Sequence, residues 1–195
     1  VKNKPIVLHN GVWLAPASNE IGDWNAFTDI SADDGYTWEK SPFVPINRQK
    51  FRGKGVIQPT LWESEPGKVH MLLRSTCGRI CRSDSTDGGR TWGEVYETSL
   101  PNNNSGIDAV KLDDGTVALV YNPVSEDWGP RTPLVVSLSR DNGATWPVTC
   151  ILEDEEGQES YPSIVAKGNE ISITYTWTRE RIAYVRCTIE DILSC

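Results

Sequence analysis

The sequence predicts an all-β fold made of repeated β-meander blades. Its 195 residues include 16 Gly, 12 Pro and 8 Trp but only one Met, so turn residues and large aromatic side chains outweigh good helix formers. The motif Ser-x-Asp-x-Gly-x-Thr-Trp occurs three times, and its serines Ser31, Ser85 and Ser139 follow one another at intervals of 54 residues. A repeat of this length corresponds to one supersecondary unit of about the size of a propeller blade.

Each copy of the motif is predicted to form a turn between two strands of a blade. The aspartate accepts backbone N–H groups of its own turn, the glycine adopts positive φ, and the Thr-Trp pair begins the next strand. We interpret the aspartates as structural, rather than as calcium ligands or catalytic acids, and we expect the tryptophans to be buried. The residues concerned are Asp33, Asp87, Asp141, Trp38, Trp92 and Trp146.

Strand signals recur in the same order around the motifs, as apolar or alternating runs separated by turn residues. The first blade is predicted to span residues 1–46, with strands at 5–9, 12–16 and 26–31. The second spans 47–100, with strands at 56–62, 68–74 and 79–83. The third spans 101–154, with strands at 107–111, 116–122 and 134–139. The fourth spans 155–195, with strands at 163–167, 170–177 and 182–188 and no motif, and we expect residues 1–195 to form a single domain.

Charge and hydropathy limit the class of protein and its partners. Lys and Arg total 19 against 27 Asp and Glu, a formal net charge of -8, so most of the surface would repel nucleic-acid phosphates and no nucleic-acid partner is expected. No apolar run approaches the roughly 20 residues needed to cross a bilayer, so no membrane span is expected.

The cysteines leave their pairing open. There are five, at positions 77, 81, 150, 187 and 195, so at least one is free or pairs with another chain if the others are bridged. Cys77 and Cys81 have no accompanying second Cys or His pair, and neither a metal nor another cofactor is expected.

The run Asn103-Asn104-Ser105 fits a glycosylation acceptor and the sequence begins at Val1 rather than Met, which together predict a processed, secreted protein.

The three motifs are Asp-box, or BNR, repeats, and through them the sequence resembles the sialidase-like propellers over nearly its full length. The likeness extends to the predicted neuraminidases through residues 4–8 (KPIVL), 55–61 (GVIQPTL), 104–110 (NSGIDAV) and 160–163 (SYPS). It implies a β-propeller of the sialidase type with about four of the usual six blades present and with the N-terminal part missing. Either the missing N-terminal blades or self-association would then complete the ring.

The resemblance also implies a site that cleaves glycans. Sialidases bind the substrate carboxylate with three arginines and attack with a tyrosine, assisted by a glutamate, while an aspartate transfers a proton. Arg74 and Arg131 resemble two of the arginines, and Tyr161 resembles the nucleophile. A planar guanidinium binds a carboxylate through two hydrogen bonds and lowers the pKa of a nearby phenol. We therefore expect hydrolysis of a glycan that ends in an acidic sugar such as sialic acid.

The assisting carboxylate is missing from its usual place. Sialidases carry a glutamate just before the position of Gln58, where this sequence has Val56-Ile57. Asp108 interrupts an apolar run and is the preferred catalytic carboxylate, whereas Glu159 lies in an acidic run and is expected in a solvated loop.

Additional contacts to the substrate are expected from Gln58 and Arg79, with Arg179 and Arg181 as alternatives. Trp24, Trp128 and Trp177 are expected in the core or rim of blades rather than as platforms for sugar stacking.

Two other functions stay open at this point. One is a carbohydrate-binding propeller without catalysis, which the missing glutamate favours; the other is a lyase or hydrolase acting on uronate-containing polysaccharide, since arginines recognise any carboxylated sugar.

Overall fold

The computed structural model describes residues 2–195, which form four antiparallel sheets with their strands in chain order. Two compact units are present, one ending at Leu100 and the other beginning at Pro101. The first unit holds the first two sheets, and the second unit holds the other two. The predicted all-β meander is therefore confirmed. In the described part of the chain, no helix is long and apolar enough to span a membrane.

The two sheets of the first unit each have four strands. The first sheet consists of β1 (Ile6–Val7), β2 (Trp13–Asn19), β3 (Asn25–Ser31) and β4 (Glu39–Lys40). The second consists of β5 (Val56–Glu65), β6 (Lys68–Ser75), β7 (Arg79–Ser85) and β8 (Tyr96–Pro101). Leu14 and Ile30 of the first sheet pack with Leu61, Met71 and Leu73 of the second in the core of this unit.

The second unit contains a four-stranded sheet, a three-stranded sheet and a short helix. The third sheet consists of β9 (Asp108–Lys111), β10 (Val117–Tyr121), β11 (Leu134–Ser139) and β12 (Val148–Glu153). The fourth consists of β13 (Ser160–Lys167), β14 (Glu170–Trp177) and β15 (Arg181–Thr188), followed by α1 (Ile189–Leu193). Val120, Val136, Ile164 and Ile173 lie in its core, which α1 covers with Ile192.

The fourth strands β4, β8 and β12 have no counterpart among the predicted strands. Each follows an Asp-box and pairs with only one neighbouring strand. The residues of β4 and β8 are largely polar or exposed, as in the sequence YETSLP of β8, so these strands lack the apolar alternation by which half-buried strands are recognised. In β12 (VTCILE), by contrast, Val148, Cys150 and Leu152 alternate toward the core.

The Asp-box turns are held by the same hydrogen bonds in all three copies. In the second copy, Asp87 Oδ1 accepts from the Ser85 hydroxyl at 2.7 Å and from the Thr91 N–H at 2.9 Å, and the Thr91 hydroxyl donates to Asp87 Oδ2 at 2.6 Å. The corresponding bonds occur at the other two aspartates. Bonds from the threonine side chain and backbone and from the serine hydroxyl hold the pKa of Asp141 at about 2, so this carboxylate is ionised and saturated with donors inside its own turn.

The box tryptophans do not share one environment, and the expectation that all three are buried is wrong. Trp92 is 7% exposed and its Nε1–H donates to Thr28 Oγ1 at 3.2 Å, so the second box packs against the first sheet. Trp38 is 45% exposed and its Nε1–H donates to the carbonyl of Gly35 in its own turn at 3.0 Å. Trp146 is half-buried. The motif therefore specifies the turn, while burial of its tryptophan depends on whether another segment covers it.

A polar network crosses all four strands of the second sheet. His70 Nδ1 of β6 lies 2.5 Å from Asp84 Oδ1 of β7, and His70 Nε2 lies 2.7 Å from Ser64 Oγ of β5. Arg82 Nε donates to Asp84 Oδ1 at 2.9 Å, and the Tyr96 hydroxyl of β8 donates to Asp84 Oδ2 at 2.8 Å. Burial opposes ionisation of Asp84, but the bonds from His70, Tyr96 and Arg82 outweigh it and lower its pKa to about 2.

We expect Asp84→Asn to lower the free energy of unfolding by about 1–3 kcal/mol at pH 7, because the buried Arg82 loses its carboxylate partner. The ionised carboxylate stabilises the fold above its ordinary pKa of 3.8, and this contribution is lost as the pH falls toward about 2. Urea unfolding at several pH values measures the difference from the wild type, which should shrink below about pH 4. Asp127→Asn, at an exposed loop position, is the control; an equal loss in both variants would contradict the prediction.

Candidate functional site

The second unit contains a buried arginine that forms no ion pair with any described residue. Arg131 lies between β10 and β11, is 7% exposed, and forms an isolated bridge with Gln158. Its guanidinium carbon lies 5.4 Å from the centroid of the Tyr161 ring. Nη1 is buried without a hydrogen-bond partner, and no carboxylate among residues 2–195 forms an ion pair with this side chain. Burial of an unpaired charge costs several kcal/mol, so this group is suited to an anionic ligand.

Asn122 holds the backbone of this arginine and of the residues that follow it. Its fully buried side-chain amide Nδ2 lies 2.7 Å from the carbonyl oxygen of Arg131, 3.0 Å from that of Pro133 and 3.1 Å from that of Glu159. One side chain therefore connects the segment that carries Arg131 with the segment that leads into Tyr161. Sequence reasoning missed Asn122; the only signal was a polar residue directly after the apolar run of β10.

Tyr161 is held in a strained backbone conformation at the start of β13. A bulge lies between Ser160 and Ser163, Tyr161 has a φ of 52°, and Pro162 follows it. A residue with a side chain rarely adopts positive φ, and a following proline restricts it further, so the surrounding structure must impose this geometry. Tyr161 is 45% exposed, and its ring lies beside the guanidinium of the buried Arg131.

The first unit contains a similar arrangement around Arg74 near the end of β6. Gln58 has a φ of 52°, precedes Pro59, and lies in a bulge of β5 between Ile57 and Thr60. The Gln58 side-chain oxygen Oε1 accepts a hydrogen bond from Arg74 Nη1 at 3.1 Å, and the guanidinium carbon lies 5.8 Å from the Trp24 ring centroid. Arg74 is buried, so both predicted arginines differ from ordinary surface residues.

Glu159 is not in a solvated loop, and that expectation is wrong. Its side chain is 1% exposed, and Oε2 accepts the N–H of Thr178 at 3.3 Å. Burial, together with the neighbouring charges of Glu153 and Glu155, raises the pKa of its carboxyl group. The acidic run around it suggested solvation, but the segment that leads into β13 buries this one member.

Asp108 occupies a structural position, which argues against the catalytic role expected for it. Its Oδ1 accepts the N–H of Ala109 at 3.0 Å, and its Oδ2 accepts the N–H of Ile164 at 3.0 Å. Both oxygens of this buried carboxylate thus bind backbone amides and connect β9 with β13. Asp108 interrupts the apolar pattern because it satisfies the backbone of a neighbouring sheet.

Other predicted contacts lie elsewhere in their units. Arg79 is exposed, and its Nη1 donates to the carbonyl of Ser99 on β8 at 2.9 Å, so it connects two strands. Trp128 is exposed in the loop before Arg131 rather than in a core. Trp177 is half-buried beside Arg181, whose guanidinium carbon lies 5.8 Å from its ring, in a groove of about 270 Å³ on the fourth sheet.

The predicted glycosylation acceptor is inaccessible in the folded chain. Asn103 is buried, and its side-chain amide Nδ2 donates to the carbonyl of Pro130. This contact helps to hold the loop that carries Arg131 and leaves no room for an attached glycan.

The four meander sheets, three of which carry an Asp-box turn, have the fold of a sialidase-type β-propeller. The chain belongs to the BNR repeat-like domain family, whose sequence profile matches residues 1–173. The resemblance read from the sequence is thereby confirmed. No curated protein sequence matches the chain.

Solved structures show the same fold. A Hadza microbial sialidase superposes with a TM-score of 0.80 at 19% identity, covering 96% of this chain and 37% of that one. NanB sialidase from Streptococcus pneumoniae superposes with a TM-score of 0.75 at 20% identity, covering 96% and 30%. A leech intramolecular trans-sialidase gives a TM-score of 0.74 at 15% identity, covering 98% and 31%. The chain thus spans about a third of the length of these structures.

Proposed function

We propose that this protein processes glycans as an enzyme of the sialidase type, hydrolysing the bond to a terminal acidic sugar. The observation that carries the proposal is Arg131, whose buried guanidinium has an unpartnered Nη1 and lies over the ring of Tyr161. A sugar carboxylate is an anion of the right geometry for a guanidinium. Arg74, buried beside Gln58 in the first unit, stays a proposed carboxylate ligand on the family resemblance.

Tyr161 is proposed as the nucleophile. Its oxygen would attack the anomeric carbon, the bond from that carbon to the leaving oxygen would break, and water would hydrolyse the glycosyl–tyrosine intermediate. The cation of Arg131 beside the ring would stabilise the negative charge that develops on the phenol oxygen. Both oxygens of Asp108 bind backbone amides at 3.0 Å, whereas Glu159 accepts the N–H of Thr178 through Oε2 at the longer distance of 3.3 Å. Glu159 lies two residues before Tyr161 in the chain and its pKa is raised by burial, so it is proposed as the proton acceptor in place of Asp108.

Arg131→Ala is expected to weaken binding of N-acetylneuraminic acid by about 10- to 100-fold, the value of a charge-assisted hydrogen-bonded pair. Calorimetric titration or NMR titration measures the dissociation constant. The methyl ester of the same sugar lacks the negative charge. It should bind the wild type weakly, and Arg131→Ala should change its affinity little.

Arg186→Ala is the matched control, because Arg186 is an exposed arginine paired with Glu170. Its dissociation constant should equal that of the wild type. Equal affinity of Arg131→Ala and wild type for the sugar acid would exclude Arg131 as the carboxylate ligand.

A carbohydrate-binding propeller without catalysis is the second candidate. The place where a sialidase would carry its assisting glutamate is filled here by the buried, apolar Ile57, which favours this alternative. Saturable binding without released sugar, across sialosides and uronate-containing oligosaccharides, would support it. Release from uronate substrates alone would instead support a uronate-directed lyase or hydrolase on the same fold.

Secretion is proposed on chemical grounds. Cys150 and Cys195 form a disulfide, which is typical of proteins in oxidising compartments. A reduced Cys150–Cys195 pair in protein isolated from its native source would contradict extracellular localisation.

A further inference from the structure

Two free cysteines lie face to face at the turn between β6 and β7. Cys77 is in the turn, Cys81 is on β7, and their sulfur atoms are 3.6 Å apart. A disulfide bond is about 2.05 Å long, so an approach of roughly 1.5 Å would join them. The described residues contain no cluster of three or more potential metal ligands that includes this pair.

The two thiols have opposite environments. Cys77 is partly exposed, and its hydrogen bonds with Cys81 and with the Ser75 side chain at 3.0 Å outweigh burial and lower the pKa of Cys77 to about 6. Cys81 is fully buried in the core of the first unit, and its bond to Cys77 and its burial raise its pKa. One sulfur is therefore accessible and nucleophilic, while the other is protected and adjacent.

We propose that Cys77 and Cys81 form a thiol–disulfide exchange site that reacts with small-molecule disulfides. The Cys77 thiolate attacks one sulfur of the reagent RSSR, forming a mixed disulfide and releasing RS⁻. Cys81 then attacks the Cys77 sulfur, the bond to the second RS group breaks, and the proton of Cys81 goes to that leaving thiolate. Overall, the Cys77 thiolate and the Cys81 thiol are oxidised to one disulfide, and RSSR is reduced to RS⁻ and RSH, the RS⁻ then taking a proton from water.

The order of attack follows from exposure. A reagent in solution reaches the partly exposed Cys77, whereas the buried Cys81 reacts only with a reagent sulfur that Cys77 has already bound. The site is independent of the proposed sugar chemistry, since its readout is the oxidation state of two sulfurs. The cysteine pair is nevertheless close in sequence to the proposed carboxylate ligand Arg74. Cys77 follows Arg74 by three residues, and the hydroxyl of the intervening Ser75 lies within hydrogen-bond distance of the Cys77 sulfur.

Oxidised glutathione is the probe. The protein with reduced Cys77 and Cys81 is incubated with it at pH 7, remaining thiols are alkylated, and peptides are mapped by mass spectrometry. We expect a bond between Cys77 and Cys81 with a loss of about 2 Da, and little stable glutathione adduct. Cys81→Ser should trap one glutathione on Cys77, and Cys77→Ser should react at least about tenfold more slowly.

Cys187→Ser is the control, because Cys187 is a half-buried free cysteine whose pKa is raised by burial; this variant should react as the wild type does. The reaction rate of the wild type should increase toward about pH 7 and then level off, since the pKa of Cys77 is about 6. A persistent adduct on wild-type Cys77, or equal rates for Cys77→Ser and wild type, would overturn the proposal. Because Cys77→Ser is a conservative change at a partly exposed turn residue, loss of folding should not obscure the result.

Discussion

Tyr161→Phe is expected to reduce the turnover number for a fluorogenic sialoside by about 10³-fold or more, because the variant lacks the oxygen that would form the covalent intermediate. The phenyl ring is retained, so its packing over Arg131 and the shape of the site should persist. Affinity for the sugar acid should therefore change little. A large loss in kcat with a nearly constant dissociation constant is the signature of a nucleophile rather than of a binding residue.

Tyr184→Phe provides the matched control for this experiment. Tyr184 is an exposed tyrosine on β15 whose hydroxyl lies 3.1 Å from Ser172 Oγ, and its loss should leave kcat unchanged. If Tyr161→Phe retained wild-type turnover, the assignment of the nucleophile would be wrong. If neither the wild type nor the variants released sugar while binding persisted, the non-catalytic alternative would replace the hydrolase.

Trp92→Ala is expected to lower the free energy of unfolding by about 3–5 kcal/mol, the usual cost of deleting a large buried aromatic side chain. Trp92 packs in the core of the first unit and donates to Thr28 Oγ1, while the Thr28 hydroxyl donates to the carbonyl of Gly89. The substitution removes the ring and a bond in a buried chain that connects the second Asp-box to the first sheet. Urea unfolding with linear extrapolation measures the change.

Trp38→Ala is the internal control, since Trp38 occupies the same position of the first Asp-box. Its side chain is exposed and bonds only within its own turn, so its loss should cost about 1 kcal/mol or less. Equal destabilisation by the two substitutions would show that the tryptophan acts through the turn itself. A large difference would show that packing against another sheet provides the stabilisation.

The repeated elements of the fold could be predicted from the sequence because their causes are local. The Ser, Asp, Gly and Thr of each Asp-box bond to one another within a few residues, so the motif alone specifies the turn. The inner strands alternate or are wholly apolar, as in β10, and these patterns identify buried strands. The fourth strands β4, β8 and β12 were missed. The two residues of β4 and the polar β8 carry no periodic apolar signal, whereas Val148, Cys150 and Leu152 of β12 alternate toward the core and could have indicated a strand.

The candidate site depended more strongly on tertiary structure. The sequence pointed to Arg131 and Tyr161 through a family resemblance, but only the fold places the guanidinium over the ring and leaves Nη1 without a partner. The fold likewise buries Glu159, although this residue belongs to an acidic run in the sequence. It also directs Asp108 to the amide of Ile164, which lies 56 residues further along the chain. Burial and unsatisfied charge depend on which distant segment covers a side chain, and this information is absent from a local pattern. The sequence by itself therefore determined the repeated turns and strands, whereas the tertiary structure decided which of its charged groups are desolvated.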